Sequence, residues 1–151
     1  MSLFSNINAS ASALTANRLR MDVAASNIAN ANTTRGKMVN GEWVPYSRKM
    51  VELTPKGAST FDNLLQKAMG NGVSSTEGVV VSKIKEDRTP FKLMYDPTHP
   101  DADANGYVKM PNVDLLKENV DLMSATRSYE ANVTALNASK SMYMKALEIG
   151  K

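Results

Sequence analysis

Residues 112–149 read NVDLLKENVDLMSATRSYEANVTALNASKSMYMKALEI, a run without glycine or proline. Within it Leu115, Leu122, Tyr129, Leu136 and Tyr143 recur every seven residues, and Leu116, Met123, Val133, Met144 and Leu147 widen the stripe. Such spacing holds one apolar seam on one face of a helix. Asn112 is the expected N-cap, and Asp114 falls in the first turn, where the helix dipole favours negative charge. Unbroken, the helix is about 50 Å long, well beyond the usual three or four turns. A helix this long needs a partner along its length, and the rest of the chain is read for one.

The partner lies at the opposite end. Phe4, Ile7, Ala11, Leu14, Arg18, Met21, Ala25 and Ile28 follow at steps of three and four, a heptad seam with one polar break at Arg18. Fully helical, it spans about 37 Å. Off the seam the composition is unusual: 22 of the first 34 residues are Ala, Asn, Ser or Thr. Small side chains bury little area, and Asn, Ser and Thr compete for helical backbone bonds. The helix is therefore marginal in water, stabilised mainly by packing, and expected to fray in an isolated monomer. The run Asn30–Gly36 ends it, with Gly36 as a candidate left-handed cap.

Between the helices the signals are those of strands and turns. Met38-Val39-Asn40-Gly41-Glu42-Trp43-Val44 is a hairpin pattern, Asn-Gly supplying the positive φ angles of a type I′ turn. Arg48–Leu53, Val79–Lys85, Phe91–Tyr95 and Tyr107–Met110 read as further strands. Together they suggest a small antiparallel sheet or partly open barrel. Phe61, Leu64, Leu65 and Ala68 have helical spacing, with Ser59 or Thr60 as cap and Gly70 as stop. Gly and Ser neighbours make residues 54–78 a flexible or short-helical insert. The expected fold class is α+β: a terminal helix pair, coiled-coil-like, around a small antiparallel β domain. Its segments are an assembly helix at 1–35, the β-rich domain at 36–110 and a second assembly helix at 111–151.

Composition narrows the function. No cysteine is present, which excludes disulfides, thiolate metal sites and cysteine nucleophiles. The formal charge of +3 is thinly spread: three Arg against one Asp in residues 1–35, ten basic against nine acidic residues in 36–110, and five of each in 111–151. This is unlike the basic stripe that nucleic acid requires. No stretch approaches the ~20 apolar residues of a membrane span, and the first twenty residues lack the basic start and apolar block of a secretory signal. Asp96, His99, Asp101 and Asp103 could suggest a metal. The same residues are ordinary in a proline-bent turn, which is the favoured reading. An EF-hand is disfavoured because Asn112 occupies the position of its acidic ligand after Gly106. One histidine and no phosphate loop leave no catalytic constellation. The expectation is a protein with no cofactor and no enzymatic activity.

Arg20-Met21-Asp22-Val23-Ala24-Ala25-Ser26-Asn27-Ile28-Ala29-Asn30-Ala31-Asn32-Thr33 resembles the Asn- and Ala-rich signature of flagellar axial proteins, the rod and hook family. Tyr95-Asp96-Pro97, Ala102–Val113 and Ser124–Val133 resemble, more narrowly, the proximal-rod members. The resemblance covers both ends and residues 79–113. It implies a structural subunit that passes the flagellar type III export apparatus without signal cleavage and polymerises into the basal-body rod. That rod is the drive shaft carrying motor torque across the cell envelope. Implied partners are further copies of the chain and FlgB-, FlgF-, FlgG- and FliE-like proteins. The expected assembly interface is Phe4, Ile7, Leu14, Met21, Ala25, Asn27, Ile28 and Asn30 on the first helix. On the second it is Leu115, Leu122, Tyr129, Val133, Leu136, Tyr143 and Leu147. The alternative is a helical adaptor outside the flagellum.

Overall fold

The computed structural model describes residues 3–56, 65, 68, 69 and 78–149. Helix α1 runs Leu3–Ala29 and helix α2 runs Leu115–Ile149. Between them come β1 (Lys37–Val39), β2 (Glu42–Val44), β3 (Lys49–Pro55), β4 (Val79–Glu86), β5 (Lys92–Tyr95) and β6 (Tyr107–Met110). The two helices pack together, and the class is α+β. Most of the expected insert lies outside the described residues, including Phe61, Leu64, its cap and its stop. Leu65 and Ala68 are helical, and the Met69 N–H donates to the Leu65 carbonyl at 2.9 Å.

Among the described residues the strands form no single sheet or barrel but make three two-stranded ribbons: β1 with β2, β3 with β4, and β5 with β6. In β1–β2 the register is Met38↔Trp43 and Val39↔Glu42. Asn40 and Gly41 hold φ of 52° and 87°, as a type I′ turn needs. In β5–β6, Tyr95 faces Tyr107, their rings edge to face with centroids 5.3 Å apart. Such short ribbons bury few side chains of their own, and their stability comes from what they pack on.

The chain divides into two compact units. One holds Met1–Leu19, Glu52–Lys83 and Ala125–Lys151; the other holds Arg20–Val51 and Ile84–Ser124. In the second, Val23, Ala24, Val108, Pro111 and Val113 form the apolar core. In the first, Ala16, Asn17 and Ala125 are buried. There the start of β4 reaches α1: the Val79 N–H donates to the Ser12 hydroxyl at 3.1 Å, and that hydroxyl donates to the Ala9 carbonyl at 2.7 Å.

Two expectations about helix ends are corrected. Gly36 is not a left-handed cap, since it is absent from the positive-φ residues. It is needed for close approach, because a Cβ there would stand 2.7 Å from the Tyr46 backbone nitrogen. Asn112 does not cap α2. Asp114 does, its Oδ1 accepting the Leu116 N–H at 3.0 Å.

Gly78 combines a φ of +100° with a Cβ position that collides with Ser12. Gly41 has a similar φ and open space around it. Gly78→Ala is therefore expected to lose about 2–4 kcal/mol and Gly41→Ala about 1 kcal/mol. Urea denaturation of the two variants checks the difference; equal midpoints would remove the role given to Ser12.

Candidate assembly site and the polar clamp beneath it

The buried row of α1 is not the apolar seam read from the sequence, and on α2 that seam is only part of the inner stripe. On α1 the buried face is Ala16, Asn17, Val23, Ala24 and Asn27. Of the expected seam, Ala11, Arg18 and Ala25 are exposed and Ile7, Leu14, Met21 and Ile28 are half-buried. At 100° per residue these large side chains sit on a flank of α1, about a third of a turn from the centre of its buried face. Asn30 is half-buried and turned onto its own helix end, its Nδ2 donating to the Ser26 carbonyl at 2.9 Å. The Phe4 side chain lies outside the described residues.

On α2 the inner stripe alternates two rows. Leu122, Tyr129, Leu136 and Tyr143, all half-buried, form the row expected from the sequence. The other row is Glu118, Ala125, Asn132 and Ser139, of which Glu118 and Ala125 are fully buried. Val133 is half-buried, whereas Leu115 and Leu147 at the two ends are exposed. Leu116, Val120 and Met123 make an outer row, exposed at 80%, 64% and 67%. Beside it a cleft of about 460 Å³ is lined by Leu93, Met94, Met110, Leu115 and Leu116. Apolar surface therefore remains uncovered on α2, while the large residues of α1 are only half-buried.

Inside the second unit the end of α1, the β3 strand and the start of α2 meet on polar groups. Asn27 is 1% exposed. Its Nδ2 donates to the Lys49 carbonyl at 2.8 Å and to Glu118 Oε2 at 2.9 Å. Its Oδ1 accepts the Lys49 N–H at 2.9 Å and the Tyr46 hydroxyl at 3.0 Å. An asparagine amide has two donor hydrogens and one oxygen with two lone pairs. All four are used, and two of them replace a neighbouring strand for Lys49.

Arg48, adjacent on β3's approach, completes the cluster. Its Nε donates to Glu118 Oε1 at 2.6 Å, and its guanidinium also reaches Asp87 at 3.4 Å and Asp121 at 3.5 Å. Its backbone N–H donates to Asn112 Oδ1 at 2.8 Å, and Asn112 Nδ2 donates to the Thr89 hydroxyl at 2.9 Å. The Arg48 carbonyl accepts the Asp87 N–H at 2.7 Å. Burial works against the Arg48 charge, but Glu118 and then Asp87 outweigh it and raise its pKa. Asp87 is held below the usual carboxylate range, chiefly by the Thr89 backbone N–H and then by Thr89's side chain and Arg48.

Sequence reading missed Arg48, Glu118 and Asp87, because an apolar-periodicity scan passes over charged residues in a buried row. Asn27 was placed among the assembly residues; it is buried and fully engaged within its own subunit. The Asp96–Asp103 turn is held by its own bonds. Asp96 Oδ1 accepts the Thr98 N–H and hydroxyl, Asp103 Oδ1 accepts the Asn105 and Tyr107 N–H groups, and His99 Nδ1 accepts the Asp101 N–H. Asp101 binds Arg35 Nε at 2.7 Å and Thr34 Oγ1 at 2.8 Å. Among the described residues no group of three or more candidate ligands converges on a metal site.

Asn27→Asp keeps the shape but loses two donors and sets a second carboxylate against Glu118. It is expected to cost about 3 kcal/mol or more at neutral pH, read by chemical denaturation. The acid limb has a fixed sign. Asp87 and Asp101 have depressed pKa values in the folded state. Their contribution is present above the unfolded carboxylate pKa near ~3.9 and is lost as pH falls below it. Stability should thus be flat from mildly acidic to neutral pH and decline only below about pH 4. A decline beginning near neutrality would contradict these assignments.

Comparison with known proteins places this architecture. Residues 7–36 match the family described as flagella basal body rod protein, and residues 104–149 match the flagellar basal body rod FlgEFG protein C-terminal family. The chain is 64% identical to the flagellar basal-body rod protein FlgC of Bacillus subtilis, across the whole of both chains. It is 43% identical to the FlgC of Borreliella burgdorferi, over 99% of this chain and 98% of that one. It is 42% identical to the FlgC of Salmonella typhimurium over the full length of both. The two matched segments are the α1 region and the β6–α2 region, which contribute Asn27, Asn112 and Glu118 to the clamp. On this ground the chain belongs to the FlgC family of flagellar basal-body rod proteins.

Proposed function

We propose that this structural subunit of the flagellar basal-body rod assembles through the outward faces of α1 and α2, the buried clamp holding their junction in shape. The observation that carries the proposal is the apolar surface left uncovered: Leu116, Val120 and Met123 outside α2 are exposed, and Ile7, Leu14, Met21 and Ile28 on the flank of α1 are only half-buried. A lone subunit gains nothing by exposing such rows, and contiguous exposed apolar patches ordinarily mark protein contacts. Contacts between unlike faces that do not close generate filaments, the form a rod requires.

The subunit assembles with itself and with other rod components, and it resides in the flagellar basal body. It is a structural protein and not an enzyme. Among the described residues no helix is long and apolar enough to cross a membrane. FlgB-, FlgF-, FlgG- and FliE-like neighbours are the partners we assign to the outer faces. Passage through the flagellar type III export channel suits a chain whose first helix packs on alanines and asparagines. Little apolar burial opposes its unfolding, and the helix orders again on joining the rod. A non-flagellar adaptor role is not favoured by the relatives.

Leu116→Asp and Met123→Asp each put a charge on the outward row of α2, where both residues are exposed. The expected outcome is normal export, a monomer as stable as wild type within ~0.5 kcal/mol, and loss of swimming because rods do not form. Leu136→Asp strikes the inner row instead and should destabilise the subunit itself. Motility assays with electron microscopy of basal bodies read the outcome. Wild-type swimming in both outward variants would sink the assignment.

A further inference from the structure

Two of the chain's Asn-Gly pairs lie among the described residues, and the structure treats them differently. Asn40-Gly41 forms the exposed tip of the β1–β2 hairpin, with no atom within 4 Å of a Cβ built on Gly41. Among the described residues the Gly41 N–H has no hydrogen-bond partner. Asn105-Gly106 is also at the surface but is tied down. The Gly106 N–H donates to the Asp103 carbonyl at 2.9 Å, the Asn105 N–H donates to Asp103 Oδ1 at 2.9 Å, and the Gly106 carbonyl accepts the Asp96 N–H at 3.0 Å. Gly106 is also in contact range of the Tyr95 ring and Pro97.

We propose that Asn40 is a site of spontaneous deamidation and that Asn105 is protected from it by the turn built on Asp103. The Gly41 backbone nitrogen attacks Asn40 Cγ. The new N–Cγ bond forms as the Cγ–Nδ2 bond breaks, and ammonia leaves with the hydrogen from the Gly41 amide. One water then opens the five-membered imide. Cleavage at Cγ–N gives aspartate; cleavage at the backbone carbonyl–N bond gives isoaspartate. No side chain shields the glycine nitrogen, and a free amide is required for attack. At Gly106 that amide is already committed to Asp103, and the ring cannot close until the turn opens.

The products change the hairpin in different ways. Aspartate adds one negative charge at the tip beside Glu42 and keeps a residue that suits a type I′ turn. Isoaspartate inserts a methylene into the backbone at the point where Val39↔Glu42 closes the ribbon, so the pairing of Met38 with Trp43 must shift. Trp43 is the one tryptophan of the chain and half-exposed, so its fluorescence reports that shift directly.

The test is timed incubation of the purified full-length protein in mildly alkaline buffer, followed by peptide mapping with mass spectrometry. A urea-denatured sample gives each site's rate without structure. In the folded protein Asn40 should convert about five- to tenfold faster than Asn105. In the denatured chain the two should convert at similar rates. Asp103→Ala removes the Oδ1 acceptor and should raise the Asn105 rate while leaving the Asn40 rate unchanged. Equal folded-state rates, or an Asn40 that stays intact while the denatured chain reacts, would overturn the proposal.

Discussion

The rest of the second unit depends on one buried amide. Asn27 ends α1 on a side chain with no remaining capacity: it closes both backbone groups of Lys49, receives Tyr46 and donates to Glu118. A buried backbone N–H or C=O left open costs about as much as a lost hydrogen bond. Lys49 stands at the first residue of β3, where the Asn27 amide takes the place of a second strand. Glu118 in turn is the nearest of the three carboxylates, with Asp87 and Asp121, that neutralise Arg48 in the unit's interior. Removing one member of such a pair is costly because the other stays buried. The clamp therefore acts as a set, and it fixes α1, β3 and α2 at one point where the apolar core is small.

That smallness explains why polar groups carry so much here. The apolar core of the unit is Val23, Ala24, Val108, Pro111 and Val113. Side chains of this size contribute modest transfer energy. They also specify geometry weakly, since alanine and valine fit many packings. Hydrogen bonds with fixed direction, from Asn27, Asn112 and Arg48, remove that degeneracy. The large apolar residues, Leu116, Met123, Leu93 and their neighbours, are left on the outside. A subunit that works in a polymer can place its strongest hydrophobic groups at its contacts and hold its own shape with polar ones.

The sequence was legible where one local rule decided the outcome. Both helices, the Asn40-Gly41 hairpin and the strands around residues 79–86 and 107–110 follow from spacing and turn chemistry. The Leu122–Tyr143 row was found because its members are large and evenly spaced. The companion row of Glu118, Ala125, Asn132 and Ser139 was not, because hydropathy says nothing of a glutamate whose arginine is seventy residues earlier in the chain. On α1 the periodicity marks a half-buried flank, and the buried face beside it is a row of smaller residues. Small residues pack inward and large ones lie on the flank, the reverse of a monomer's habit. The division of the strands into three ribbons was equally out of reach, since pairing depends on register between distant segments. Gly36 shows the same limit: composition marked a helix end, and the reason for the glycine is the backbone of Tyr46 passing beside it.

The central claim is that Asn27 and Glu118 act as one unit. A double-mutant cycle on stability, using Asn27→Ala, Glu118→Ala and the double variant, isolates their coupling from the cost of each truncation. A coupling of about 1–3 kcal/mol is predicted, the double variant losing less than the sum of the singles. Additivity within ~0.3 kcal/mol would mean that the two side chains stabilise the fold independently, and the clamp as described would not exist.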